Sequence, residues 1–314
     1  MSVPVIAFFN SKGGVGTTSL VYHLAWMFND LGVKVLAVDL DPQADLTAAF
    51  LGANLGELLE LTVYDWVRYR NSRPVVVDER LYLLPADLRL SDFEEALALE
   101  WHERALADHS ALWRAIQQVA SLTEPQLVLL DLGPNLSAVN RAGLLAADHV
   151  VIPLAGDLSS LLGVRNLGPA LSRWRAEWAA RSESKPAMNL ELPEGRMRPL
   201  GYVVLSRPVR FDRPVNGSEN WIIRIPGEYR TYVLSETSRG EVPIQDDPFN
   251  LAVLRPYPGL MSMAQEAGKP MFHLKPADGA LGSYLQSAEE VRRAFEALSK
   301  AIVAKANLPV PLTT

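Results

Sequence analysis

The chain has 314 residues, 48% of them hydrophobic, a formal net charge of −6 and no cysteine. That length and apolar content suffice for one large buried core, and the lack of cysteine excludes disulfides and cysteine-ligated metal clusters. The acidic balance argues against indiscriminate coating of nucleic acid, though not against a local basic patch.

The first predicted element is an apolar strand from Val5 that runs into Asn10-Ser11-Lys12-Gly13-Gly14-Val15-Gly16-Thr17-Thr18-Ser19. Against the phosphate-loop pattern GxxxxGK[ST], Ser11 takes the place of the first glycine and Gly16 that of the second. Thr18 supplies the hydroxyl, and Thr17 stands where the lysine belongs. Glycines at this spacing let the backbone turn so tightly that successive N–H groups and the next helix N-terminus point at one anion. Ser11 to Ser19 are therefore the candidate phosphate cradle, with Thr18 the candidate magnesium ligand. Thr17 brings no charge to the outer phosphates. A hydrogen bond to a charged group contributes roughly 1.5 to 3 kcal/mol, so its loss lowers affinity or rate about ten- to a hundredfold. The plainer alternative is a flexible basic turn, and the flanks decide between them.

Leu20, His23, Leu24, Met27 and Phe28 recur at helical spacing after the loop, and Gly32 stops that helix. A strand from Val33 to Leu40 follows, ending in Asp39-Leu40-Asp41-Pro42-Gln43-Ala44-Asp45-Leu46. Carboxylates at a strand's carboxyl end face the crevice where α/β proteins bind ligands; a helix N-cap with two solvated acids is the alternative. Leu81 to Leu88 adds a further strand and loop. Residues 92 to 120 are predicted helical, with Phe93, Leu97, Trp101, Leu112, Trp113 and Ile116 on buried faces. The run Gln126 to Leu130 ends in Asp131-Leu132-Gly133-Pro134, a Walker B arrangement in which Asp131 is the candidate to hold magnesium through water. A buried strand with an incidental terminal acid is the alternative there.

Ala147 to Leu154 reads as the next strand, Asp157 to Leu167 as a helix, and Gly201 to Ser206 and Leu251 to Leu254 as two more strands. Between these last two, Arg210, Arg213, Arg224, Arg230 and Arg239 alternate with Trp221, Tyr229 and Tyr232, diluted by Asp212, Glu219, Glu228, Glu236 and Glu241. A surface lid or partner-binding insertion is favoured there over a nucleic-acid reader. Basic rows lie along 165–181 (Arg165, Arg173, Arg175, Arg181) and along the last helix (Arg292, Arg293, Lys300, Lys305), each readable as a solvated face or a DNA contact. Val291, Phe295, Leu298 and Ile302 form the core stripe of that last helix.

Lys12 within KGGVG, followed by DxDPQ and then a strand-end Asp131, makes the chain resemble the ParA/MinD family of partitioning and positioning ATPases, whose loop is the deviant Walker A. The resemblance covers nearly the whole chain except about residues 207 to 250. It implies an α/β fold with a doubly wound, mostly parallel sheet flanked by helices, one nucleotide-binding domain over 1–314 with a divergent insertion at about 207–250. It further implies ATP and Mg2+ as cofactors and a homodimer with ATP sandwiched between protomers. By resemblance Lys12 is the cation that reaches the partner's phosphates, Asp39 sits near the magnesium with Asp131, and Asp41 orients or activates the attacking water. Pro256 and Tyr257, in the loop Arg255 to Gly259 before Glu266-Ala267-Gly268-Lys269-Pro270, take the adenine-contacting place; Tyr257 reads equally as packing. Thr17, Gly133 and the RPYPG loop depart from the family pattern.

The absence of cysteine removes the iron–sulfur branch of the superfamily. The opening MSVPVIAFF has no basic leader region and too short an apolar run for a signal or membrane span, so a cytoplasmic protein is expected, nucleoid-associated if it binds DNA. Leu308-Pro309-Val310-Pro311 after the last helix leaves no terminal amphipathic anchor, so no membrane partner is expected. The function expected is an ATP-dependent dimerisation switch for DNA or another cargo, with a ParB-like or other regulatory protein as partner, non-specific DNA contact, and slow hydrolysis because of Thr17. The alternative is a pseudo-ATPase that binds another protein. A third reading, an amidating or carboxylating ligase on the same fold, needs the lysine that Thr17 replaces.

Overall fold

The apolar runs become strands because each is covered on both faces, which is why they read as continuous rather than alternating. The computed structural model describes residues 3–52, 62–69, 73–99, 105–183, 191–206, 217–237 and 242–312. Its strands are β1 (Val5–Phe8), β2 (Val35–Asp39), β3 (Val75–Asp78), β4 (Leu81–Leu84), β5 (Leu127–Asp131), β6 (His149–Leu154), β7 (Arg198–Leu205) and β8 (Asn250–Leu254). They form one sheet in the order β3-β4-β2-β5-β1-β6-β7-β8. Every pairing is parallel except β3 with β4, an antiparallel edge that the sequence reading did not anticipate. The order reverses about β1, so the crevice outside the carboxyl ends of β1, β2 and β5 is where such a sheet binds ligands.

One face of the sheet is covered by α1 (Thr17–Asp30), α10 (Pro258–Ala267) and α11 (Ser283–Ala306), through Leu24, Phe28, Leu260, Phe295 and Ile302, with Phe272 of the turn Met271–His273 beside them. Leu20, His23, Leu24, Met27 and Phe28 are all buried, as are Val291, Phe295, Leu298 and Ile302. α2 (Asp45–Leu51) packs beside α1.

The other face carries α3 (Val63–Tyr69), α4 (Leu90–Leu99), α5 (Ala105–His109), α6 (Ala111–Thr123), α7 (Ala138–Ala146), α8 (Leu158–Glu183) and α9 (Gly217–Glu228). The stretch expected as helical over 92–120 thus divides into α4, α5 and the start of α6. Leu97, Leu112 and Ile116 are buried, Phe93 and Trp113 pack partly buried against the core, and Trp101 lies outside the described residues. α8 continues well past Leu167, carrying Pro169 within it.

The described part of 207–250 does not form the surface lid expected from its charge pattern. α9 and the π-helical turn that follows it (Tyr229–Val233) bury Ile222, Ile225, Tyr229 and Val233 in the core. Gly168 of α8 admits the turn so closely that a Cβ there would lie 2.0 Å from the Tyr232 carbonyl oxygen. Arg165 of α8 grips Glu228 with two hydrogen bonds, at 2.7 and 2.6 Å. Arg230, which read as part of a basic surface, is instead spent on the buried Asp247 at 2.7 Å, where Tyr202 also donates at 2.7 Å. Arg210, Asp212, Arg213, Arg239 and Glu241 lie outside the described residues. Among the described residues no helix is long and apolar enough to cross a membrane.

Candidate functional site

The loop after β1 is clamped before it turns. Buried Asn10 donates to the Pro153 carbonyl at 2.6 Å and accepts the Lys12 N–H at 3.0 Å. Gly163 of α8 lets this clamp close, since a Cβ there would lie 2.8 Å from Asn10 Oδ1. Val15 is buried and pins the middle of the loop, while Gly13, Gly14 and Gly16 face outward. Gly14 and Gly16 have φ of 76° and 85°, the left-handed region that side chains disfavour. Among the described residues, no atom beyond Gly14 and its chain neighbours lies within 4 Å of where a Gly14 Cβ would stand, so the loop is an open cradle. It delivers the chain directly into the 14-residue α1, whose first turn holds Thr17, Thr18 and Ser19 with no side-chain cap. Free N–H groups at the start of such a helix, with positive dipole end outward, suit a polyphosphate.

Ser19 points away from this cradle. Its carbonyl accepts from His23 Nδ1 at 2.7 Å, and its hydroxyl lies 4.0 Å from Met261 Sδ. Met271 N–H donates to His23 Nε2 at 3.2 Å, which fixes the proton on Nδ1. Burial pulls the His23 pKa down to about 4, so it is a neutral core residue.

Behind the cradle stand the strand-end acids. Asp39 and Asp131 are partners in register across β2 and β5. Asp39 is fully buried and accepts from Thr47 N–H (2.8 Å), Thr47 Oγ1 (2.7 Å) and Asp41 N–H (3.0 Å). Burial raises its pKa to about 6 against the pull of those donors. Thr47 Oγ1 also accepts the Ala86 N–H at 2.9 Å, which ties the Asp41 loop to the end of β4.

Asp131 is as deeply buried, yet among the described residues neither of its oxygens has a hydrogen-bond partner. The Thr18 hydroxyl is near enough to favour its charged form without meeting hydrogen-bond geometry. Burial, and then the charge of Asp39, hold the Asp131 carboxyl well above the usual carboxylate range. A buried carboxylate with no donor is expensive to keep unless something cationic completes it.

Asp41 leans on Gly133. A Cβ at Gly133 would lie 3.2 Å from Asp41 Cγ, so the family departure at 133 is what makes room for this carboxylate. Gly133 O in turn accepts from Asn140 Nδ2 at 2.7 Å and from Asn135 N–H at 2.9 Å. Buried Asn140 thereby holds the loop after β5 against α7. Burial raises the Asp41 carboxyl, the Gln43 N–H lowers it and Asp45 raises it further.

Lys12 turns back onto its own protomer and pairs with Asp157, where the chain enters α8. Pro256 is exposed. Tyr257 donates its hydroxyl to Glu290 at 2.6 Å and carries Arg255 over its ring at 5.3 Å, so it is engaged at both ends. Beside the loop, an open groove of about 660 Å3 is lined by Ser11, Asn135, Leu136, Arg165 and Arg173 among others, with exposed Leu158 and Leu162 on the same helix, α8.

The basic rows are largely matched by acids: Arg165 with Glu228, Arg173 with Glu177, Arg292 with Asp30, Arg293 with Glu289 and Lys300 with Glu296. Lys305 covers the Phe249 ring at 4.2 Å. Asn10, Thr47, Asn140 and Asp157 were not singled out from the sequence. A Ser137-x-x-Asn140 helix start and an Asp157-x-x-Ser160 cap were the local signals that marked two of them.

The donor set suits a divalent ion completed by a ligand. Among the described residues no three His, Cys, Asp or Glu side chains converge on a metal, and magnesium held by one or two carboxylates, a hydroxyl and phosphate oxygens needs no such cage. An outward glycine loop at a helix start, with strand-end carboxylates behind it on a parallel sheet, defines a P-loop nucleotide-binding protein. A family profile described as an AAA domain matches residues 3–181, more than half the chain, and the chain belongs to this family, in its ParA/MinD group.

Among curated relatives, the chromosome-partitioning ATPase Soj of Thermus thermophilus is 35% identical over 174 residues, covering 54% of this chain and 62% of Soj. The chain thus spans less than two thirds of that relative's length. A Cyanothece McdA–ATP complex shares the fold with a TM-score of 0.66 at 14% identity, covering 98% of each chain. Mycobacterium smegmatis cobyrinic acid a,c-diamide synthase, with bound ADP and magnesium, superposes with a TM-score of 0.56 at 26% identity over 71% of this chain and 80% of its own.

Proposed function

We propose that this chain is a ParA-type switch that binds ATP with Mg2+ between two protomers and uses dimerisation to position DNA or another cargo, acting with a ParB-like or other regulatory protein. The observation that carries the reading is Asp131, a buried carboxylate with no hydrogen-bond partner among the described residues, beside Thr18 and behind an open glycine loop. Bound magnesium supplies the charge that would neutralise this carboxylate and polarise phosphate. The loop N–H groups from Gly13 to Thr18 receive phosphate oxygens, Thr18 and Asp131 hold the ion, with Asp39 buttressing the loop that carries Asp41, and Asp41 orients water. Thr17 leaves the outer phosphates without their usual lysine, so turnover is slow.

A second reading is a nucleotide-holding or nucleotide-free pseudo-ATPase that serves as a partner of another protein. Thr17 favours it, together with the Lys12 ammonium being occupied by Asp157. The ligase reading has the cobyrinic acid synthase likeness behind it but lacks the lysine at position 17 that phosphoryl transfer calls for.

The two are separated by titrating the full chain with Mg-ATP while following mass by light scattering, with ADP as control. The switch reading requires binding and a monomer-to-dimer shift with ATP; binding without a shift, or no binding, overturns it. A salt-dependent DNA complex that forms with ATP and not ADP identifies DNA as the cargo surface.

A further inference from the structure

The groove beside the phosphate loop runs between the chain after β5, at Pro134 to Leu136, and one side of α8, with Ser11 also lining it. Among the described residues no carboxylate lines it, whereas Arg165 and Arg173 bring two guanidiniums. Arg165 is already set in place: its Nε and Nη2 hold Glu228 at 2.7 and 2.6 Å, and its guanidinium lies over the Tyr232 ring at 5.5 Å. Its Nη1 edge has no hydrogen-bond partner among the described residues, and the side chain is 38% exposed. Arg173 is 64% exposed, is held loosely by Glu177 at 3.8 Å, and is near enough to Arg141 for the two to repel. The facing wall is fixed as well, because Asn140 Nδ2 donates to the Gly133 and Asn135 carbonyls at 2.7 Å each. Around the arginines the surface is apolar: Leu136 is exposed, and exposed Leu158, Leu162 and Pro169 share the Arg173 side of α8 at helical spacing.

We propose that this groove docks an extended acidic segment of a partner protein, with two carboxylates four residues apart on Arg165 and Arg173 and an apolar side chain between them. The arginines are about two turns apart on α8, or about 12 Å at the rise of a helix. Carboxylates at i and i+4 of an extended chain share one face and lie about 13 Å apart, at about 3.3 Å per residue. Guanidinium takes carboxylate in a planar, charge-assisted pair, and Arg165 keeps an edge open for one without giving up Glu228. Recognition of acidic motifs by paired arginines in a groove is a general mode of peptide binding. A free phosphate would engage one arginine and leave Leu136, Leu158 and Leu162 uncovered. A basic segment would meet two guanidiniums and, among the described lining residues, no acid. The switch and pseudo-ATPase readings both call for a protein partner, and the groove supplies its chemistry. The inference needs no nucleotide, so it is decided separately from the Mg-ATP titration.

The test uses the full chain without nucleotide and a fluorescein-labelled peptide, Gly-Asp-Ala-Leu-Ala-Asp-Gly, followed by fluorescence anisotropy. Binding is expected with a Kd below about 1 mM, weakening as salt screens the pairs. The same peptide with asparagine in place of both aspartates is expected to bind about tenfold more weakly, and one with lysine in their place not at all. Arg173→Gln, at an exposed side chain, is expected to weaken binding about two- to fivefold, the range of a partly exposed ion pair. Arg165→Gln is expected to weaken it further; circular dichroism and the urea midpoint check that this variant folds, and where it does not, Arg173→Gln decides. No binding of the aspartate peptide in that range, equal binding of the asparagine or lysine peptide, or wild-type affinity in Arg173→Gln overturns the proposal.

Discussion

Asp39 and Asp131 stand side by side at the carboxyl ends of β2 and β5, one saturated with donors and the other with none among the described residues. Asp39 spends its charge on Thr47 and the Asp41 N–H, which shapes the loop that carries Asp41. Asp131 has no hydrogen-bond donor among the described residues. Two equivalent strand ends therefore differ in kind: one builds the site and the other waits for a cation.

The strand-end acids are expected to favour the folded state more in mild acid than at neutrality, while His23, His109 and His149, whose pKa values burial lowers, pull the other way. Burial raises Asp39 to about 6 and Asp131 well above the usual range, so the folded state keeps protons that the unfolded chain releases. With more protons bound folded than unfolded, stability is fully present below the ordinary carboxylate value of about 4 and falls as pH rises through the folded values. The contribution of these two acids to the unfolding free energy without nucleotide, read by urea titration, should be larger near about pH 5.5 than near about pH 7.5, by an amount on the order of 1 to 3 kcal/mol. Asp131→Asn should flatten that difference, and an unchanged slope would remove Asp131 as its source.

Gly133→Ala is expected to spare the fold and impair turnover. The new Cβ would lie 3.2 Å from Asp41 Cγ, and half-buried Asp41 can yield by a few tenths of an ångström. Stability should change by less than about 1 kcal/mol, whereas displacement of a group that orients water lowers single-turnover hydrolysis about tenfold. Hydrolysis at the wild-type rate would show that the Asp41 position does not set it.

Asp247→Ala tests whether the divergent segment belongs to the folded unit. Asp247 is buried and accepts from Tyr202, Arg230 and the Phe249 N–H. Its removal leaves Tyr202 without its acceptor and Arg230 with only Glu236, at 3.4 Å, among the described residues, which should destabilise the chain by about 3 kcal/mol, the cost of breaking a buried pair. One shifted denaturation transition is expected; a separate early transition would mean that this segment unfolds on its own.

The parts legible in the sequence were those written in short periods. The strand-loop-helix from Val5 through Phe28, the Asp39 and Asp131 strand ends and the stripe Val291 to Ile302 all declare themselves within a few turns. The partners of those residues did not, because they lie far along the chain: Asp157 is 145 positions from Lys12, and Met271 is 248 from His23. The charge pattern of 217–237 suggested a surface, but Arg165 and Asp247 supply counter-charges from elsewhere and let Ile222, Ile225 and Tyr229 go inward. The antiparallel β3 was missed because Val75–Asp78 is a short edge strand with alternating burial rather than an apolar run.

Thr17→Lys restores the charge that the loop lacks, and its effect separates a slow switch from a protein without turnover. Thr17 is the first residue of α1, directly after Gly16 in its left-handed conformation, and it is half-buried at the edge of the open cradle. A lysine there lies at a helix start, where its charge is mildly unfavourable until phosphate arrives. Without nucleotide the variant should therefore be slightly less stable than wild type, and with saturating Mg-ATP more stable, because ligand binding adds to stability by mass action. One charge-assisted contact to phosphate corresponds to an affinity or rate gain of about ten- to a hundredfold. Isothermal titration and single-turnover hydrolysis read the two separately. Tighter binding with faster hydrolysis means that Thr17 sets a long-lived nucleotide state on otherwise competent machinery. Tighter binding with no hydrolysis would move the defect from the loop to Asp41 and Gly133, and unchanged binding would show that position 17 does not face the phosphates.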